Sequence, residues 1–119
     1  MNLIEIFSIL IIHWIADFWL QSDKMAKGKG KNWKDLISHT GLYTITFFIG
    51  GAFLLNDARV VIFCLITFIL HTITDYFTSR LNSKLYKEGN NHGFFIAIGG
   101  DQILHYVQLF LTYYWLFKI

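Results

Sequence analysis

Four apolar blocks, each close to the thickness of a lipid bilayer, limit what this chain can become. They run from about residues 3–20, 36–55, 60–78 and 93–117, with most of the Lys and Arg residues gathered between them. A hydrocarbon core asks for roughly 20 apolar residues per helix. In lipid, only helices or closed barrels satisfy their own backbone, so each block is expected to be a transmembrane helix. No proline interrupts them, and 55% of the 119 residues are hydrophobic. A soluble fold of this length has too little interior to bury so much apolar surface. The expected architecture is therefore all-α: a single domain over 1–119, forming an integral membrane four-helix bundle. The first block has no basic stretch ahead of it and carries His13 and Asp17 inside it. It reads as a retained helix and not as a cleaved signal peptide.

Charge placement gives an orientation. Lys24, Lys27, Lys29, Lys31 and Lys34 follow the first block, and Arg80, Lys84 and Lys87 follow the third. Only Arg59 and Lys118 lie at the other face, so eight of the ten basic residues share one side. The positive-inside rule puts both long loops in the cytoplasm and both termini outside. Trp19 and Trp33 near the inner face, and Tyr113, Tyr114 and Trp115 near the C-terminus, fit aromatic belts. The stretch Gly28 to Lys31 reads as a flexible, solvated loop able to lie against anionic headgroups, or as a topology signal alone. The single cysteine, Cys64, excludes an internal disulfide framework and reads as inert core. No basic face with interleaved aromatics stands on a soluble element, so no nucleic-acid partner is expected.

The polar residues inside the apolar blocks carry the chemistry. His13, Asp17 and Gln21 are spaced four apart, which stacks them on one helix face. His71 and Asp75 repeat the spacing in the third block, and Asp101 and His105 reverse it in the fourth, with Gln102 alongside. His39 lies one turn into the second block. An ionised Asp at a helix centre costs roughly 2.5–3.5 kcal/mol on insertion scales, so these side chains should face one another and not lipid. At a rise of about 1.5 Å per residue, helices entering from alternate sides bring them to one level. Residues 11–18 and 69–76 also align, sharing Ile, His, Ile and Asp. Both copies run in the same direction, which suggests two parallel helical-hairpin repeats, although an Ile-rich chain also produces such a match by chance.

His and Asp together form a ligand set for a divalent metal. Zinc is the first expectation, with manganese or iron as the others. His13, Asp17, His39, His71, Asp75, Asp101 and His105 exceed what one tetrahedral ion needs. That leaves room for two metals, or for one metal with further groups acting as orienters or bases. The contrary reading is a hydrogen-bonded network that locks helix packing. Thr67, Thr74 and Thr78 read as packing residues.

The motifs His-x-x-x-Asp-Phe-x-x-Gln from His13 to Gln21, His39, His-x-x-x-Asp from His71 to Asp75, and Asp-Gln-x-x-His from Asp101 to His105 resemble an uncharacterised family. It is a family of bacterial and phage membrane proteins classed as a domain of unknown function, some encoded beside SatD-type proteins. The resemblance covers nearly the whole chain and implies the bacterial inner membrane and membership of the site. It brings no activity with it.

The residues themselves point first to an intramembrane metal-dependent hydrolase. Its substrate would be a lipid or lipid-linked phosphate reached from the cytoplasmic leaflet. His13, His71 and His105 are the first-choice ligands. Asp17, Asp75 and Asp101 serve as ligands or bases, and His39 as a fourth ligand or a stabiliser of developing charge. Gln21, Gln102, Lys24 and Arg80 are expected to contact the substrate, and membrane lipids with anionic headgroups are the expected partners. One alternative is a proton or metal-ion transporter or channel, which needs a polar path through both halves of the bilayer. Gln108 and Thr112 extend such a stripe, whereas Ile6, Ile9, Val60 and Phe63 interrupt it. The other alternative is a non-catalytic protein with a structural network. A homo-oligomer stays open for four short helices.

Overall fold

The computed structural model describes residues 1–117. Lys118, counted above at the outer face, lies outside the described residues. The chain forms α1 (Leu3–Trp14), a π turn (Ile15–Trp19), α2 (Asp23–Gly28), α3 (Trp33–Leu55), α4 (Arg59–Lys87) and α5 (Asn91–Phe117). No strand occurs among the described residues.

Local chemistry explains the helix ends. Asn2 caps α1 in a capping box with Glu5, Ser22 caps α2 at Met25 N–H, and Asn32 caps α3 at Asp35 N–H. α3 stops where Asn56 turns left-handed at φ 47°. Three expected boundaries shift. The first helix ends its α-helical part at Trp14 and continues as the π turn. α4 runs nine residues beyond Thr78, because Arg80, Leu81, Lys84 and Leu85 are good helix formers with no proline among them. The connection to α5 thus shrinks to residues 88–90. α2 itself was not expected.

Three helices, α3, α4 and α5, are long and apolar enough to cross a membrane. The bundle measures 45 × 26 × 21 Å, and its length suits a bilayer with its headgroups at about 40–45 Å. Its polarity is inverted relative to a soluble protein. Twelve polar or charged residues are buried against ten apolar ones, while Phe48, Phe53, Leu65, Ile69, Phe95 and Leu111 face outward. Such a surface suits a lipid environment.

The apolar part of the core occupies the end near Arg59, where Ile9, Phe47, Val60, Phe63, Leu109 and Tyr113 pack together. The polar part lies toward the lysine-rich end. There the loop after α2 closes tightly on its neighbours: a Cβ on Gly28 would fall 1.7 Å from Asp35 Oδ2, and one on Gly30 would fall 2.8 Å from the Ser79 carbonyl oxygen. Gly28→Ala is expected to lower stability by roughly 1–3 kcal/mol through overpacking. Gly41→Ala, where an added Cβ meets nothing within 4 Å, should be neutral or stabilising by about 1 kcal/mol. Thermal unfolding of the two variants in one detergent checks the contrast.

Candidate metal centre

All seven expected His and Asp residues meet in one buried cluster. α1 supplies His13, the π turn Asp17, α3 His39, α4 His71 and Asp75, and α5 Asp101 and His105. Both copies of the internal motif place their Asp in a donor group, one through a π turn and one in regular α-helix. A π turn rotates the residues beyond it, and such turns are frequent at functional sites.

Two donor groups share the cluster. In the first, His39 Nε2 lies 3.0 Å from both Asp17 Oδ1 and Asp75 Oδ2. His71 Nε2 lies 3.3 Å from Asp75 Oδ2, 3.8 Å from Asp17 Oδ1 and 3.3 Å from His39 Nε2. Ligands at roughly 2.0–2.1 Å from a tetrahedral zinc ion stand about 3.3 Å apart. These four donors already have that spacing, and the group could hold a metal ion. In the second, His105 Nε2 lies 3.0 Å from Asp75 Oδ1 and 3.1 Å from Asp101 Oδ1. Asp17, Asp101 and His105 bring their donor atoms within 4.8 Å of one another.

Stacking fixes the imidazoles. His71 lies between Tyr43, with ring centroids 3.8 Å apart, and His105 at 4.1 Å. Among the described residues the Nδ1 atoms of His39 and His71 have no hydrogen-bond partner, so packing and not a second hydrogen bond sets their direction. His13 is held differently. Its Nδ1 is 2.7 Å from the Tyr43 hydroxyl and its Nε2 is 2.6 Å from Gln102 Oε1. The Gln102 amide nitrogen in turn donates to Asp17 Oδ2 and Asp101 Oδ2, each at 3.4 Å. His13 therefore joins neither donor group; it reaches the carboxylates through Gln102, with Asp17 Oδ2 3.6 Å from its Nε2.

Three contributors escaped the sequence reading. Lys29 does not hang in solvent: its side chain is 16% exposed and its ammonium lies 3.4 Å from Asp75 Oδ2. The close-packed Gly28 and Gly30 bracket it, and the Ser79 hydroxyl, which also donates to the Asp75 carbonyl, holds its backbone oxygen at 3.3 Å. Tyr43, one turn beyond His39 on the same face, was overlooked although the spacing announced it. Thr78, by sequence a packing residue, donates its hydroxyl to Asp101 Oδ1 at 2.6 Å.

A cavity of about 490 Å³ opens from the cluster toward the lysine-rich end. Asp17, Asp101 and Gln102 lie on its wall together with Gln21, Phe18, Tyr86 and Phe94, while Lys27, Lys29, Lys31 and Lys87 add positive charge. Gln21 and Gln102, expected to contact a substrate, both lie on this wall. Lys24 is not among the lining residues: its side chain is 74% exposed and sits 3.9 Å from Asp35. Arg80 stacks its guanidinium 4.2 Å from the Tyr76 ring and lines a separate basic concavity.

Burial alone would lower the basicity of Lys29, but Asp75, then Asp17 and Asp101, hold it above the ordinary lysine value of 10.5. A raised folded value means that the stability from the pair is complete below the ordinary range. It is lost only as pH climbs through the raised value, so no change is expected across neutral and mildly alkaline pH. Lys29→Met leaves a buried carboxylate short of a partner and should cost roughly 3–5 kcal/mol. Added divalent cation should recover part of that loss, which a thermal-shift titration with and without chelator would show.

No curated protein and no solved structure matches the chain. Residues 6–119 match a family model described as protein of unknown function (DUF3307). With that coverage, and with the four His and Asp motifs assembled in one place, the chain belongs to this DUF3307 family.

Proposed function

We propose that this protein is a metal-dependent hydrolase of the membrane, acting on a lipid phosphate or lipid-linked phosphate that enters from the cytoplasmic leaflet. The observation that carries the reading is the cavity. A single opening joins a cluster of metal-binding type to a rim of lysines and aromatic side chains. An amphiphile with an anionic head meets both of its requirements there: ammonium groups for the head, and apolar walls such as Phe18, Phe94 and Ile98 for the start of the chain.

The division of labour follows from position. His39, His71, Asp17 and Asp75 would hold a divalent cation, with zinc first and manganese or iron as the alternatives. When bound, such an ion makes water nucleophilic near neutral pH and polarises a phosphoryl oxygen. Lys29, the ammonium deepest in the cavity, draws the phosphoryl group against the cluster and faces its charge. Asp101 is tied at Oδ1 to Thr78 and His105. Its Oδ2, beside the Gln102 amide, takes the proton of the attacking water. The water oxygen bonds to phosphorus as the bond from phosphorus to the lipid oxygen breaks, and that oxygen leaves as an alcohol with the proton Asp101 accepted. Gln102 and His13 keep Asp17 and Asp101 in register.

A conduit has less support. Beyond the cluster, Phe47, Phe63, Leu109 and Tyr113 pack as an apolar plug. A transport path would need polar groups or water through that half as well.

The test uses detergent-purified or nanodisc-embedded protein supplied with lipid phosphates of differing chain and head. Phosphate release is expected with zinc or manganese and is expected to stop with chelator. Asp101→Asn should slow release on the order of 100-fold or more, as for loss of a general base, with the ion at His39, His71, Asp17 and Asp75 retained. Absence of release from every lipid phosphate, in metal-loaded and folded protein, would overturn the reading.

A further inference from the structure

We infer that the cluster binds two divalent cations at once, with Asp75 and Asp17 as bridging carboxylates. This rests on the cation-binding reading of the same cluster and goes beyond it in number and arrangement. Asp75 divides its oxygens between the two donor groups. Oδ2 lies 3.0 Å from His39 Nε2 and 3.3 Å from His71 Nε2, whereas Oδ1 lies 3.0 Å from His105 Nε2. Asp17 is a member of both groups; its Oδ1 faces His39, and its Oδ2 accepts from the Gln102 amide that also donates to Asp101 Oδ2. A carboxylate with one oxygen on each side is the geometry that joins two ions.

The rings agree with that spacing. His71 and His105 stack with centroids 4.1 Å apart and planes 28° from parallel. Their Nε2 atoms, one in each group, are thus presented side by side. Paired metal sites in hydrolytic enzymes hold their ions about 3.5–4 Å apart. The first ion takes His39, His71, Asp17 and Asp75; the second takes His105, Asp101 Oδ1, Asp75 Oδ1 and Asp17.

Charge points the same way. Three carboxylates and the Lys29 ammonium leave the cluster two charges negative. One divalent cation brings it only to neutrality, which leaves the attraction for an anionic head to the lysines along the cavity. Two leave a surplus of two positive charges, which a phosphoryl dianion matches. The lysines along the cavity extend that preference outward.

The experiment loads the full chain in nanodiscs with manganese. Metal per chain is measured by mass spectrometry and the spin state by electron paramagnetic resonance. Two ions per chain and an exchange-coupled spectrum are expected. His105→Ala should retain one ion and show an uncoupled six-line signal, and Asp101→Asn serves if His105→Ala does not fold. Saturation at one ion with a six-line signal in the unaltered protein would overturn the inference, whatever the variants do. Phosphate release measured on the same sample separates the two readings. One ion with release defeats the paired centre alone, and two ions without release defeat the hydrolase alone.

Discussion

Three carboxylates inside a thin apolar bundle must find their partners within the protein, and the rest of the structure is arranged around that need. An isolated buried charge costs several kcal/mol, and lipid offers nothing to offset it. Asp75 meets three imidazoles and the Lys29 ammonium, Asp17 meets His39, His13 and the Gln102 amide, and Asp101 meets His105 and the Thr78 hydroxyl. Every long helix contributes, so the cluster holds the bundle together as well as offering donor atoms. The apolar surface, normally the interior of a protein, is turned outward.

The same need makes the molecule two-sided. Toward Arg59 the core is largely an apolar packing of aromatic and branched side chains. Toward the lysines, α4 continues beyond the apolar span and α2 lies across the end, and between them stands the cavity. The wall is therefore built by elements that leave the hydrocarbon region, where backbone and charge meet water again.

Lys29 joins these two features. A lysine loop at a membrane surface ordinarily signals orientation and little else. Here the bare backbones of Gly28 and Gly30 let the chain approach Asp35 and Ser79 closely enough to carry one lysine inward. Glycine permits flexibility and close approach equally, so the sequence reading chose the solvated loop. Nothing in the order of residues separates Lys29 from Lys27 or Lys31; only the packing does.

Much of the fold was legible because a bilayer imposes a simple rule. Apolar length marks the helices, and polar residues at helical spacing within them mark the inward face. Those regularities foresaw the long helices and brought His39, Asp75 and their five companions to one place. Neither rule acts outside the apolar blocks, so α2 and the extension of α4 went unseen. Nor does either rule say which nitrogen or oxygen meets which. That His13 is diverted to Gln102 and Tyr43, and that Asp75 faces two groups, depends on helix rotation, a π turn and ring stacking. The sequence by itself determined that a His and Asp cluster would be buried, because charge in hydrocarbon has nowhere else to go. The tertiary structure alone decided how its atoms are shared, because that sharing is set by contacts between helices far apart in the chain.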